Sequence, residues 1–439
     1  MEQYSTWNRP VRGLWQDCGL ANRAGGHPKT LKVIDDWGDG DLPCLGETRC
    51  PLRSLTFLKL LTDGPTLDCL CFYAINVECL RHLLDHFNAF KDPALTPWYS
   101  VRSLELVFRT TEWPVDYDGI PSQSIFFPLP PATSLKISLP WFTECIVPWQ
   151  REVVLSLHIP PSRLACLTSL SFEVNWGLKF VLPVLRHCQN LQDLELDFGN
   201  PTSSYLDSTQ DLPIYERFLA SGINLPKLRK LRLSRQHPYL DILDFLTAPA
   251  LRNMNLHFEI GEIYYEGDEE QRELEEAAAS LEKPLFPFLQ RSGCIASLRS
   301  LSIYGRTLSS DELIAVFSKL PALTHLSLTC VDTDYEMLWD AAAQPLDAST
   351  GVCSLARLES LEMKRLETIS TDDLQAIGRF FKAAGRRQGR LHVTLSPSSM
   401  GALGSLGGTA IIERLRSMGI PVDVMPWKRW SNEESEAGP

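Results

Sequence analysis

One phrase, Leu-x-x-Leu-x-Leu, recurs along this chain, usually one or two residues after Pro, Ala or Asn. It reads Leu191-x-x-Leu194-x-Leu196, Leu228-x-x-Leu231-x-Leu233, Leu298-x-x-Leu301-x-Ile303, Leu323-x-x-Leu326-x-Leu328 and Leu358-x-x-Leu361-x-Met363. Looser copies start at Leu67, Val101, Leu167 and Leu251, and the weakest at Ala132. Recurrence of one strand phrase points to stacked similar units rather than one closed globule, with a core that grows by adding repeats.

The last three positions of the phrase alternate, so its aliphatic residues share one side of a strand and the residues between them face the other way. Successive parallel strands need a crossover, usually a helix. Residues 77–90 supply one, with Leu80, Leu83, Leu84 and Phe87 at helical spacing. Residues 311–320, 334–343 and 372–384 read alike. Three helix starts carry capping-box patterns, Ser309-x-x-Glu312, Thr333-x-x-Glu336 and Ser370-x-x-Asp373, at 11, 10 and 12 residues after the first Leu of their phrases. Phrase starts are spaced 34, 31, 35, 24, 37, 23, 47, 25 and 35 residues apart. The 47-residue interval holds an acidic insertion, residues 259–283, whose charges (densest at 266–276) read as a solvated outer segment. Leu31-x-Val33-Ile34 reads as a first strand, Leu391-x-Val393-x-Leu395 and Val422-x-Val424 as closing strands, with a helix over 409–418 between the last two.

The 439 residues carry 42 basic and 54 acidic side chains, net −12, which argues against nucleic acid as the main partner. Residues 1–26 lack the apolar core of a signal peptide, and no run reaches 18 apolar residues, so neither secretion nor a membrane span is expected. Twelve cysteines follow no small-domain disulfide framework, and the one glycosylation-like match, Asn200-Pro201-Thr202, carries the excluded proline. These features describe a cytoplasmic or nuclear protein with reduced thiols.

Chemistry is sparse. Cys69-x-Cys71-x7-Cys79-x2-His82-x3-His86 has metal-binding residue types, but Leu80, Leu83 and Leu84 hold the helix's packing side and the spacing matches no zinc pattern. The glycine-rich stretch at 401–408 fits neither a dinucleotide nor a phosphate loop and reads as a loop before a helix. Trp427-Lys428-Arg429-Trp430 reads as packing over the last repeat with its charges in water. No catalytic residue, cofactor or metal is therefore expected, and the chain is read as a non-enzyme.

The phrases at 191, 228, 298, 323 and 358 resemble leucine-rich repeats, and their irregular strand–helix units resemble the repeat region of F-box/leucine-rich-repeat proteins in the divergent form common in fungi. The resemblance spans roughly residues 60–425. It implies an α/β leucine-rich-repeat solenoid, with right-handed stacked strand–helix repeats and a curved parallel sheet. Residues 1–60 would form an atypical N-terminal cap or first repeat, 61–425 the irregular repeats, and 426–439 a disordered acidic tail. In that family the repeats recognise a substrate, and an F-box recruits a cullin–RING ubiquitin ligase through its adaptor. The Leu-Pro start of an F-box is matched here only by Leu42-Pro43, which Cys, Gly, Thr and Arg follow instead of helix formers, so an adaptor would require an F-box upstream of Met1. Without one, the chain reads as a stand-alone repeat protein.

In either form the expected partner is a protein on the concave strand face, lined by the residues between the aliphatic positions. They include Glu173; Asp193, Glu195 and Asp197; Lys230 and Arg232; Asn255 and His257; Tyr304; His325; and Lys364. Tyr304, His257 and Arg232 are the anchors favoured by residue type. The bland alternative is that acidic and basic strands simply neutralise each other.

Overall fold

A computed structural model describes residues 29–34, 52, 54–75, 77–88, 97–108, 124–139, 157–173, 178–198, 212–236, 240, 242–258, 281–344, 354–366, 370–383, 392–397, 406–417 and 419–424. The acidic run 266–276, the segment 401–405, Trp427–Trp430 and the tail 426–439 lie outside the described residues. The chain is α/β, with parallel strands alternating with helices, and divides into two compact units at Pro226/Lys227.

The first unit holds strands β1 (Thr30–Ile34), β2 (Cys69–Ile75), β3 (Ser103–Phe108), β4 (Ser134–Ser138), β5 (Ser169–Glu173) and β6 (Asp193–Asp197). Each pairs in parallel with the next in chain order. Every phrase in this unit is a strand, including the weakest at Ala132. The register explains why. Leu31, Leu70, Leu104, Leu135, Leu170 and Leu194 fall side by side, and so do Val33, Phe72, Leu106, Ile137, Phe172 and Leu196. From β2 to β6 both columns are buried. A one-residue slip would expose both columns at once, so the hydrophobic pattern itself sets the pairing. Helices α1 (Leu55–Asp63), α2 (Val77–Asn88), α3 (Pro161–Leu164), α4 (Leu178–Leu185) and α5 (Leu212–Ser221) lie between strands. The Phe57 ring of α1 meets Phe72 of β2 edge to face at 6.2 Å, and Phe87 of α2 stacks on Trp98 at 4.7 Å.

The second unit repeats the plan with β7 (Lys230–Gln236), β8 (Asn253–Phe258), β9 (Ser300–Thr307), β10 (His325–Asp332), β11 (Ser360–Leu366), β12 (His392–Pro397) and β13 (Val422–Val424), again parallel and in chain order. Its helices are α6 (Ile242–Phe245), α7 (Glu282–Ser292), α8 (Ser310–Ser318), α9 (Tyr335–Ala343), α10 (Thr371–Ala383) and α11 (Leu406–Ser417). From α7 onward each helix packs on its neighbour. The buried Trp339 and Phe380 rings join α9 to α10 at 5.4 Å.

The backbone locks successive strands together with one recurring device. The carbonyl of the residue before a strand accepts from two consecutive N–H groups at the start of the next. Asp68 O takes Arg102 and Ser103 at 3.0 and 2.9 Å, and Arg252 O takes Arg299 and Ser300 at 2.7 and 3.0 Å. The same pairing recurs at Lys29, Arg102, Thr133 and Thr168 in the first unit, and at Arg229, Arg299 and Thr324 in the second.

Capping departs from expectation once. Ser309 Oγ accepts from Glu312 N at 3.2 Å, and Ser370 forms a reciprocal box, its Oγ accepting from Asp373 N at 3.0 Å while its own N–H donates to Asp373 Oδ2 at 2.6 Å. In the middle helix the cap is Asp334, not Thr333, with Oδ1 accepting from Met337 N at 2.9 Å. Asp is the stronger cap, and Thr333 instead shares a hydrogen bond with Ser310 of the preceding helix at 3.2 Å. The Glu312 carboxylate also leaves its box and accepts from Leu281 N. The last helix begins at Leu406, so Gly407 and Gly408 are helical rather than part of the loop. Helices α4 and α7, each with an internal proline, have no counterpart in the hydrophobic periodicity.

Strands β9 and β10 carry a matched left-handed residue. Gly305 has φ 76° and Cys330 φ 50°, and both follow the paired residues Tyr304 and Thr329. Glycine adopts that conformation freely, whereas an L side chain there costs about 1–2 kcal/mol.

Candidate functional site

On each unit the residues between the aliphatic columns lie on the face opposite the buried columns. In the first unit, Cys69 pairs with Ser103 and then Ser134, Ser169 and Asp193 across the strands. The next column reads Lys32, Cys71, Glu105, Lys136, Ser171 and Glu195; the third includes Tyr73, and further along Ser138, Glu173 and Asp197. The anticipated acids Glu173, Asp193, Glu195 and Asp197 thus sit together on β5 and β6, all half-buried. Ser171 Oγ donates to Glu195 Oε2 at 3.2 Å.

The most closely knit chemistry of this unit lies on β2 to β4. Tyr73 Oη donates to Glu105 Oε2 at 2.9 Å, and Lys136 Nζ stands 2.7 Å from Glu105 Oε1. Burial by itself would raise the Glu105 pKa. The hydrogen bonds from Lys136 and Tyr73 outweigh it and hold the carboxyl below its usual value. Burial likewise opposes the Lys136 charge, and Glu105 more than restores it. Beside them the Cys69 and Cys71 sulfurs are 3.5 Å apart. The hydrogen bond from Cys71 lowers the Cys69 pKa to about 6 against the opposing effect of burial, and the same bond together with burial raises that of Cys71.

The metal-like set is divided by the fold. Cys69 and Cys71 face away from the buried columns, Cys79 is buried within α2, and His82 and His86 are on that helix's outer side. Among the described residues no three or more His, Cys, Asp or Glu side chains are arranged to hold a metal ion.

In the second unit the columns read Lys230, Asn253, Ser300, His325 and Ser360; then Arg232, Asn255, Ser302, Ser327 and Glu362; and farther along His257, Tyr304, Thr329 and Lys364. Two of the favoured anchors meet. His257 and Tyr304 are register partners whose rings contact edge to face at 4.1 Å. Arg232 lies on β7, exposed, beside Asn255. His325 is exposed and shares a 2.8 Å hydrogen bond with Thr324 Oγ1. Lys364 Nζ bonds Glu362 at 2.8 Å on its own strand, and Ser327 Oγ donates to the same carboxylate at 3.3 Å. In these three columns, the described positions from β7 to β10 hold no carboxylate.

Two groups are missed by sequence reasoning. Glu105, Lys136 and Tyr73 sit in loose copies of the phrase, and treating those copies in the same register as the strong ones would have aligned them with Cys71. Arg229, Arg252 and Arg299 form a column of side chains just ahead of β7, β8 and β9, Arg229 and Arg252 exposed. Their signal is the repeated Leu-Arg pair at 228, 251 and 298. No described helix is long and apolar enough to cross a membrane. Compared with known proteins, the chain matches no family model and no curated protein sequence.

Proposed function

We propose that this chain is a non-enzymatic leucine-rich-repeat solenoid that binds another protein on the strand face opposite its helices, in the manner of the substrate-recognition part of a cullin–RING ubiquitin ligase. What supports the reading above all is the register: each repeat buries two aliphatic columns and presents chemically varied side chains beside those of its neighbours. A broad surface of strand side chains spaced about 4.8 Å apart suits recognition of an extended or folded protein better than capture of a small molecule. The His257–Tyr304 pair, with Arg232, Asn255 and His325 around it, offers the residue types that dominate interface energetics.

Affinity purification of the full chain from its native cells, with quantitative comparison against Arg232→Glu and Tyr304→Ala, tests this. The expected result is a protein that co-purifies with the wild type and is depleted in both variants, while their thermal unfolding matches the wild type. Equal recovery with all three removes the face as the binding surface. Co-purification of a ligase adaptor and a cullin supports the ligase role. If a partner is recovered without either subunit, the ligase role is dropped and the stand-alone binding protein stands.

A further inference from the structure

The Cys69–Cys71 pair plays no part in the binding face proposed above, which draws on β5 to β11. Both thiols lie on one side of β2 because they are two residues apart in a strand. Their sulfurs are already 3.5 Å apart, within van der Waals contact. Cys69 is partly exposed, Cys71 buried, so a reagent reaches Cys69 first and Cys71 stands behind it. Two residues in an extended strand separate their Cα atoms by about 6.7 Å, near the upper end of the range a disulfide spans. A bond between them is therefore geometrically attainable but strained, and readily reopened.

We propose that Cys69 and Cys71 form a reversible dithiol site that exchanges with low-molecular-weight disulfides, glutathione disulfide being the probe. The Cys69 thiolate attacks one sulfur of the small disulfide, forming a mixed disulfide and releasing one thiolate. Cys71 then loses its proton to solvent and attacks the Cys69 sulfur, closing the protein disulfide and releasing the second thiolate. Two protein thiols are oxidised to one disulfide, and one small disulfide is reduced to two thiols. The order of events follows from the environment. While Cys69 is a thiolate, the Cys71 proton is held by it; once Cys69 is capped, that hydrogen bond and that charge are gone, and the main forces keeping Cys71 protonated are relieved.

The test uses the full chain. The tryptic peptide 60–81 carries Cys69, Cys71 and Cys79, so after reaction with glutathione disulfide, acid quench and alkylation, its mass and fragments report each thiol. The expected product has lost two hydrogens and bears one alkyl group, on Cys79, and reduced glutathione reverses it. Cys71→Ala should stop at the glutathione adduct on Cys69, and Cys69→Ala should leave Cys71 unreacted. The alkylation rate of Cys69 in the wild type should show a midpoint near pH 6. At pH 6 it should be about tenfold faster than for an ordinary thiol, the thiolate fraction being higher by more than a hundredfold and its nucleophilicity lower by roughly tenfold. A wild-type product that stays at the mixed disulfide, or a Cys69 that goes unmodified while the exposed Cys166 reacts, overturns the proposal. Both of these outcomes are read on the wild type alone, so misfolding of either variant leaves the test intact.

Discussion

The alternation argument is tested most sharply by two neighbouring substitutions on β9. Leu301 is completely buried, in register with Met254 on one side and Leu326 on the other. Ser302, the next residue, faces the opposite way between Asn255 and Ser327. Leu301→Ala removes three carbons, about 2.4 kcal/mol at roughly 0.8 kcal/mol per methylene. The void it leaves between two repeats that cannot fully collapse adds up to about 2 kcal/mol. The total, about 2.5–4.5 kcal/mol, should move the urea midpoint down by about 1–1.5 M at a slope of roughly 3 kcal/mol per molar. Ser302→Ala should stay within about 0.5 kcal/mol, or roughly 0.2 M. Far-UV circular dichroism across a urea series measures both, with the slope showing whether the cooperative unit is unchanged. Equal shifts for the two variants, or a loss below about 1 kcal/mol for Leu301→Ala, would refute the assignment of faces from which the register and the binding surface are both derived.

Two further outcomes follow from the capping and the ion pair. Asp334→Ala should destabilise by about 1 kcal/mol through loss of its bond to Met337 N, and Ser370→Ala by a similar amount, whereas Thr333→Ala should cost less because Thr333 caps nothing; thermal melts of the three separate them. Because the Glu105 carboxyl is held below its unfolded-state value, its contribution is present above about pH 5 and lost as the pH falls through its folded value, so the wild type should lose more stability between about pH 5 and pH 3 than Glu105→Gln in acid-titrated melts.

The strands were legible in the sequence because each must bury alternate residues, and the buried columns keep the same spacing from Leu31 to Leu395. Even the Ala132 copy forms a strand, since its neighbours on both sides dictate the register. The helices were less legible. Those with strong starts, such as Thr371–Ala383, emerge from periodicity and caps. Leu178–Leu185 does not, because six of its eight residues are buried and it presents no polar stripe to read. The Thr333 cap was misplaced by one residue because Thr and Asp are adjacent and both can cap, and only geometry chooses between their oxygens. On the outward face, sequence assigns a residue to a column once the register is known, which put His257 beside Tyr304. It does not say which carboxylate a lysine reaches: Lys364 turns to Glu362 on its own strand, whereas Lys136 crosses to Glu105.

The position just before each strand shows how such a fold separates stability from recognition. Its main chain is indispensable, since one carbonyl there receives two N–H groups from the next repeat. Where threonine occupies it, at 133, 168 and 324, the hydroxyl joins the same ladder, donating to the carbonyl of the preceding repeat at 3.4, 3.2 and 3.0 Å. Where arginine occupies it, at 229, 252 and 299, the backbone ladder is unchanged and the guanidinium stands outside it; Arg299 reaches Ala322 O at 3.2 Å. Two such different side chains supporting one backbone geometry means that the geometry does not select the side chain. Composition in that column can therefore follow the chemistry of whatever the surface meets, at almost no expense to the stack, whereas the aliphatic columns beneath it admit no comparable freedom.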